Sequence, residues 1–233
     1  MFSYLFKIIK KFKRSFYLQN KSASLIEHNL KNYSKINNDQ ELDVEKNKHT
    51  IILDNFLKKY NSVIENNLKQ KLLSDHLIID IGAGSLIHTN YFCEHYSNIV
   101  YSIEPSKEAV DIGKKIYSNL KNNIIINDFA EDALKNLPLQ QKCFFYTGHV
   151  LSHLTEKSTI KILKFINNSP KGSLLLFDEI WSYKSMVKNK LFYVRNKEFW
   201  INHLSNFDID FYEFEGKAHD VLFYKGFFGK KLG

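Results

Sequence analysis

A short apolar run that leads into two closely spaced glycines is the most chemically informative stretch of this 233-residue chain. The run, Leu77–Ile81, contains Asp80 and is followed at once by Gly82 and Gly84. Glycines at such a turn let the backbone approach a ligand more closely than a residue with a Cβ atom permits. A second apolar run ends in Glu104, whose carboxylate can accept hydrogen bonds from both hydroxyls of a ribose. These residues predict a site for a ribose-containing ligand.

The spacing of the glycines distinguishes between two classes of such ligands. The dinucleotide fingerprint requires Gly-x-Gly-x-x-Gly, and Ile87 stands where its third glycine should be. The order of an acid, any residue, Gly, any residue, Gly instead resembles the first motif of the class I S-adenosylmethionine-dependent methyltransferases. Asp80, Gly82 and Gly84 match that motif. The family often has another glycine two residues further on, where this chain has Leu86.

This resemblance covers about His76 to Tyr224 and implies S-adenosylmethionine as the cofactor. It implies that Glu104 holds the ribose and that the loop, with Asp80, faces the methionine portion. It also implies that Asp128 contacts the adenine amino group, and that the end of the fourth strand lines the methyl donor. The cofactor-binding residues expected on this basis are Asp80, Gly82, Ala83, Gly84, Glu104, Pro105, Asp128, Phe129, Thr147 and Gly148.

From His76 onward, continuous apolar runs alternate with helical patterns, which is typical of parallel strands buried on both faces. Strands are predicted at Leu77–Ile81, Ile99–Ile103, Asn123–Ile126, Cys143–Tyr146 and Ser173–Phe177, and helices at Leu86–His95, Lys107–Leu120, Glu131–Leu137 and Glu156–Asn167. A mostly helical stretch, residues 183–204, then precedes strand-like runs at Asp208–Glu213 and Asp220–Tyr224, joined by a linker that includes residues 215–218. We expect an α/β fold with a doubly wound, mostly parallel seven-stranded sheet, a C-terminal antiparallel hairpin and N-terminal helices.

Residues 1–40 show a different pattern and are predicted to form a separate segment, ahead of a methyltransferase domain with a leading helix at 41–233. Residues 1–18 have an aromatic and aliphatic stripe opposite lysines and an arginine, with no acid. This is typical of an amphipathic helix at a membrane interface, although packing on the domain or binding a partner explains the same pattern and is the leading interpretation. Lysines interrupt the apolar stretch, which argues against a signal peptide or a bilayer-spanning helix. We expect a cytoplasmic protein, with peripheral contact at the inner membrane face as the open alternative.

Composition and missing motifs narrow the acceptor. The formal net charge of +8 suits an anionic partner, but a Lys-, Asn- and Ile-rich chain from an AT-rich genome would carry it too. Nucleic-acid bases are disfavoured, because Thr147–Val150 replaces the Asn/Asp-Pro-Pro-aromatic tetrapeptide of amino-methylating DNA enzymes. Cys143, at the start of its strand, is expected to be a core thiol rather than a nucleophile. Oxygen methylation of a small molecule or glycan precursor is the leading hypothesis.

Transfer to a hydroxyl needs a base, and a histidine near its ordinary pKa suits that task. His149 follows the fourth strand and is the favoured base, with His153 about one helical turn further. Asp178 ends the fifth strand and could orient the acceptor. One Asp-Glu pair there is more typical of solvated turn acids than of a metal site, so no metal is predicted. Arg195 could clamp a phosphate or carboxylate, although a surface ion pair is the commoner role.

Two alternatives to this function stay open. The acceptor could be a protein or peptide amine, for example an N-terminus. The chain could also be a catalytically silent methyltransferase-like subunit that uses its amphipathic start to bind a partner or a membrane.

Overall fold

A mixed β-sheet organises the chain in its computed structural model, which describes residues 75–117, 120–137, 140–148, 150–178, 195–218 and 221–232. The strands are β1 (Leu77–Ile81), β2 (Val100–Ile103), β3 (Asn123–Ile126), β4 (Cys143–Gly148), β5 (Leu174–Asp178), β6 (Phe207–Ala218) and β7 (Val221–Lys231). The α-helices are α1 (Ile87–His95), α2 (Lys107–Ile116), α3 (Ala130–Ala133), α4 (Glu156–Asn167) and α5 (Lys197–His203), and 3-10 turns lie at Leu134–Asn136 and Leu151–His153.

The described residues form a seven-stranded sheet in the order β3-β2-β1-β4-β5-β7-β6. Strands β1 to β5 are parallel, and β7 lies antiparallel between β5 and β6. The seven-stranded, mostly parallel sheet with a C-terminal antiparallel hairpin is therefore confirmed. Because all five parallel strands end at the same edge, the loops after them converge on one region of the surface.

Helices cover both faces of the sheet, because its central strands are apolar on both sides. On one face α3, α4 and α5 pack against the sheet, and the fully buried Trp200 lies 5.0 Å from the ring of Phe227. On the other face α1 supplies Phe92, whose ring lies 5.9 Å from Phe144 and 5.5 Å from Tyr146. The doubly wound arrangement follows from this two-sided burial.

The C-terminal hairpin is longer than the sequence predicts. Strands β6 and β7 have 12 and 11 residues, so the predicted linker at 215–218 lies within a strand instead. A register irregularity between Glu215 and Ala218 accommodates that stretch. The prediction ended at Tyr224 because glycines and lysines interrupt the apolar pattern of β7. In the structure Gly229 packs on Leu175, where an added Cβ would lie 3.0 Å from Cγ.

Other boundaries differ by a few residues. Helix α2 ends at Ile116 rather than at Leu120. The helix predicted over Glu131–Leu137 is one α-helical turn, Ala130–Ala133, followed by a 3-10 turn. Such short elements depend on tertiary packing rather than on their own helical propensity.

Several predictions fall outside the described residues. These are the amphipathic helix at 1–18, the boundary near residue 40, the leading helix before residue 75, and most of the helical stretch at 183–204. Of that last stretch the structure describes only residues 195–204, which include α5. Within the described ranges, no helix has the length and apolar character needed to cross a lipid bilayer.

Lys231 links the last strand, β7, to α4, and substitution of this residue tests how much the link stabilises the fold. It is buried, and its Nζ donates a hydrogen bond of 2.8 Å to the carbonyl of Asn167, the last residue of α4. A cation at a helix C-terminus also complements the helix dipole. Lys231→Met keeps the apolar stem but removes the charge and the donor. We expect it to lower the free energy of unfolding by about 1–3 kcal/mol in urea denaturation.

The adjacent Lys230 is exposed and provides the matched control. Lys230→Met should change the free energy of unfolding by less than about 0.5 kcal/mol. Equal losses in the two variants would show that the contact with Asn167 does not stabilise the fold.

Candidate functional site

The turn between β1 and α1 places three residues in the left-handed region of backbone conformation. The φ angles are +72° at Gly82, +53° at Gly84 and +65° at Leu86. Left-handed backbone costs a residue with a Cβ atom about 1–2 kcal/mol, whereas glycine adopts it freely. The side chain of Leu86 is fully buried with Ala83, Ile87 and Tyr117, and this burial offsets the strain.

The two glycines meet different surroundings. A Cβ atom on Gly82 would clash with the side chain of Val150, 2.7 Å from Cγ1, so the packing of the chain itself requires a glycine there. A Cβ atom on Gly84 would meet no atom of the described residues within 4 Å. The space in front of Gly84 is therefore open, as a ligand that contacts the backbone at this edge requires.

Glu104 connects this turn to the end of β2 and the start of α2. Its Oε2 accepts a 2.9 Å hydrogen bond from the N–H of Gly84, and its Oε1 accepts one of 2.8 Å from the N–H of Ser106. Burial raises the pKa of Glu104, and these two backbone hydrogen bonds oppose that rise. Each carboxylate oxygen keeps a further lone pair. The carboxylate can therefore accept ribose hydroxyls while it holds the turn.

Asp80 is bonded to the helix that follows the glycine turn. Only 1% of its surface is exposed, and the Thr89 hydroxyl lies 2.7 Å from its Oδ2. Burial raises the pKa of Asp80 to about 7; hydrogen bonds from Thr89 oppose the rise, and the charge of Glu104 adds to it. The bond to Thr89 therefore joins the end of β1 to the first turn of α1 across the glycine turn.

The loop after β3 lies beside Glu104. Asn127 donates a 2.7 Å hydrogen bond from Nδ2 to the backbone carbonyl of Glu104. Asp128 and Phe129 follow, with the Phe129 N–H donating to Asp128 Oδ1 at 2.8 Å. The Phe129 ring is 59% exposed, and Pro105 is exposed as well. An exposed aromatic ring at this edge offers a face on which a base can stack.

The ends of β4 and β5 adjoin each other. Gly148 pairs in register with Asp178, which is 4% exposed, and Thr147 is fully buried. His153 lies in the 3-10 turn after β4 and is half-buried. His149, the favoured base, lies outside the described residues. Two of the three predicted catalytic residues are among the described residues. Asp178 lies at the edge of the sheet beside Gly148, and His153 lies in the 3-10 turn after β4.

Sequence reasoning missed His88, a titratable residue at the same edge. It lies in the first turn of α1, half-buried, with its ring centroid 4.9 Å from that of Tyr146. Its Cε1 would lie 3.6 Å from a Cβ atom placed on Gly148. The signal was its position four residues after Gly84, in the first turn of the helix that begins at this edge.

Arg195 is not a surface residue, and the prediction of a surface ion pair is wrong. Its side chain is buried, and its guanidinium donates to the carbonyls of Leu151 at 2.7 Å and Leu154 at 2.9 Å. It also lies over the ring of Phe199, 5.2 Å from the centroid. Arg195 therefore holds the turn that carries His153.

Cys143 is buried in the core, as predicted, and burial raises the pKa of its thiol to about 12. A thiol of this kind is neutral and unreactive at physiological pH. Among the residues that the structure describes, no group of three or more His, Cys, Asp or Glu side chains is placed to hold a metal ion.

Comparisons with known proteins identify the fold. No family model and no curated protein matches the sequence. The N-methyltransferase NodS from Bradyrhizobium japonicum, solved with S-adenosyl-L-homocysteine, matches with a TM-score of 0.61 and 12% identity, over 88% of this chain and 98% of that one.

Two further solved structures agree. An S-adenosylmethionine-dependent methyltransferase from Archaeoglobus fulgidus matches with a TM-score of 0.54 and 14% identity, over 73% of this chain and 94% of that one. A protein from Listeria monocytogenes described as such an enzyme matches with a TM-score of 0.52 and 14% identity, over 69% and 93%. The chain therefore has the Rossmann-like fold of the class I S-adenosylmethionine-dependent methyltransferases.

Proposed function

We propose that this chain is an S-adenosylmethionine-dependent methyltransferase that acts on a small-molecule acceptor. The observation that carries the proposal is the pairing of Gly84 with Glu104. The open space in front of Gly84 lies beside a carboxylate that still has lone pairs for two hydroxyls. A nucleoside needs both features at once, and the fold match, including a neighbour solved with the demethylated cofactor, supports the same conclusion.

The residues at the edge fit this cofactor. Glu104 would bind the ribose hydroxyls, and the turn at 82–84 would contact the methionine end together with Asp80. Asp128 would accept a hydrogen bond from the adenine amino group, and the ring of Phe129 would stack on the adenine face. Thr147 and Gly148 would line the methyl donor. S-adenosylmethionine, when bound, supplies an electrophilic methyl group on a sulfonium.

For the acceptor we propose a hydroxyl of a small molecule or a glycan precursor. The chain must then hold that oxygen in line with the methyl group and take its proton. Asp178, His149 and His153 are the proposed residues for this step, and His88 joins them by its position. We also propose that residues 1–18 contact a membrane surface. Such contact would place the site near acceptors that are bound to the membrane.

A nitrogen acceptor is the second candidate, because two neighbours are N-methyltransferases. NodS is one. The other, phosphoethanolamine N-methyltransferase 2 from Haemonchus contortus, was solved with phosphomonomethylethanolamine; it matches with a TM-score of 0.50 and 12% identity, over 69% of this chain and 50% of that one. A neutral amine needs no base before attack. Transfer assays on paired hydroxyl and amine compounds separate the two candidates.

Calorimetric titration with S-adenosylhomocysteine tests the cofactor site. We expect binding to the wild-type chain, and affinity lower by about 10- to 100-fold in Glu104→Gln, because a charged acceptor is lost. The control is Glu156→Gln, an exposed acid of α4, which should bind like the wild type. A wild-type chain with no affinity would refute the cofactor, and unchanged affinity in Glu104→Gln would refute the role of that residue.

The two glycines should respond differently to a methyl group. Gly84→Ala should reduce affinity for S-adenosylhomocysteine at least about tenfold, because the methyl group enters the open space, at a stability cost of about 1–2 kcal/mol from strain. Gly82→Ala should lower the free energy of unfolding by about 2–4 kcal/mol, because strain adds to the clash with Val150. Thermal unfolding and calorimetry measure both effects.

The double variant Gly82→Ala/Val150→Ala is the control for the clash. It should be more stable than the sum of its two single changes predicts, because the smaller side chain leaves room for the added methyl group. Strict additivity would mean that Val150 is not what requires glycine at this position.

Phe129→Ala tests the proposed stacking face. Because this ring is exposed, we expect unfolding to be unchanged within about 0.5 kcal/mol. Affinity for S-adenosylhomocysteine should fall about tenfold, since stacking of a base on an aromatic ring contributes about 1–3 kcal/mol. Ile201→Ala, which removes a 51% exposed side chain from α5, is the control. Affinity equal to that of the control would exclude Phe129 from the site.

A further inference from the structure

Four side chains behind the glycine turn form a continuous hydrogen-bonded row, here called the relay. It consists of Asp80 of β1, Thr89 of α1, Ser102 of β2 and Asn123 of β3. The oxygen-to-oxygen distances along it are 2.7, 2.8 and 2.8 Å. Thr89 and Ser102 are fully buried, so water does not compete for their hydroxyls. The protons of these two hydroxyls can therefore be counted.

The count shows one proton too few if Asp80 is charged. Three contacts need three protons, and the hydroxyls of Thr89 and Ser102 supply one each. Asn123 turns its carbonyl oxygen toward Ser102 and so supplies none. Its Nδ2 is buried without a partner among the residues that the structure describes. With the Asn123 amide in this orientation, the third proton can come only from Asp80.

We propose that Thr89, Ser102 and Asn123 are positioning residues for Asp80, and that the relay in the arrangement seen here carries a proton on Asp80. Asp80 then donates to Thr89, Thr89 to Ser102, and Ser102 to the carbonyl of Asn123. Every contact in the relay is a hydrogen bond, and no hydroxyl proton lacks an acceptor.

Loss of that proton to water reverses the relay. Asn123 rotates its amide so that Nδ2 donates to Ser102, Ser102 donates to Thr89, and Thr89 donates to the Asp80 carboxylate. The three hydrogen bonds are kept in the opposite direction. The carbonyl oxygen of Asn123 then takes the place of the unpartnered Nδ2, so the two states differ chiefly in the buried charge.

Burial and one neighbouring acid favour the neutral state of Asp80. Burial and the nearby charge of Glu104 raise the pKa of Asp80 to about 7, against the hydrogen bonds of Thr89. On α1, Cys93 is a neutral thiol whose pKa is raised to about 11, and the His88 ring lies on Tyr146, which pairs in register with Asp80 on β4. A charge on Asp80 is therefore unfavourable chiefly because the group is buried, and the relay changes state near neutral pH.

Two substitutions should move this transition in opposite directions. In Ser102→Ala a proton on Asp80 would leave the Thr89 hydroxyl without its acceptor, so the pKa of Asp80 should fall by about one unit. In Thr89→Val the charged carboxylate loses its hydroxyl donor, so the pKa should rise by about one unit. Mere loosening of the site would let water in and lower the pKa in both.

The measurement is carboxyl-carbon NMR of the full chain labelled at aspartate, titrated with pH, with Asp80→Asn used for assignment. The control is Thr159→Val, a fully buried threonine of α4 outside the relay, which should leave the titration unchanged. The proposal is overturned if Asp80 titrates near its ordinary value of 3.8 in the wild type, or if both variants shift it in the same direction.

Stability against pH provides a second test, and Asp80→Asn is the only relay variant that it needs. Between pH 3.8 and about 7, folded Asp80 binds a proton that the unfolded chain does not. The contribution of Asp80 to the free energy of unfolding must therefore decrease as pH rises through that window, and Asp80→Asn should remove the decrease. An identical pH profile in both proteins would overturn the proposal. Neither test involves the cofactor, so failure of the relay is distinguishable from failure of S-adenosylhomocysteine to bind.

Discussion

The candidate site depends on one buried carboxylate that satisfies backbone groups from separate loops. Glu104 accepts from the N–H of Gly84 and from the N–H of Ser106, and its own carbonyl accepts from Asn127. These three bonds fix the loops after β1, β2 and β3 relative to one another. Because the carboxylate is largely buried, a charge left there without these donors would be expensive, so the loops and the acid stabilise each other.

A second acid beside the first makes the site electrostatically unusual. Asp80 and Glu104 face the same turn, and both are buried. Backbone N–H groups lower the pKa of Glu104 against the effect of burial, whereas the pKa of Asp80 rises to about 7. Burial thus raises the pKa of both carboxyl groups, with backbone hydrogen bonds opposing the rise at Glu104, at a site proposed for a cationic ligand. Arrival of positive charge would favour the ionised form of Asp80.

The core was easier to predict than the site, for a physical reason. A parallel strand buried on both faces shows a continuous apolar run, so β1 and β3 lie where the sequence placed them. Strand β7 is different, because Gly229 and its neighbouring lysines carry no apolar pattern, and pairing with both β5 and β6 decides its length. The burial of Arg195 could not be predicted from the sequence either, since the carbonyls of Leu151 and Leu154 that accept its hydrogen bonds are more than 40 positions away in the chain. The length of β7 and the burial of Arg195 both depend on tertiary contacts, which a local sequence pattern does not reveal.

The glycine turn shows why a short motif is a weaker signal than the geometry behind it. Gly82 and Gly84 look equivalent in the sequence, yet Val150 requires the first and open space distinguishes the second. Leu86 stands where the motif that this turn resembles often has glycine, and it still adopts the left-handed conformation because burial of its side chain offsets the strain. The backbone conformation of the turn is therefore what the fold requires, and more than one combination of residues can adopt it. The match to the fold of NodS at 12% identity is consistent with a backbone path that different sequences can follow.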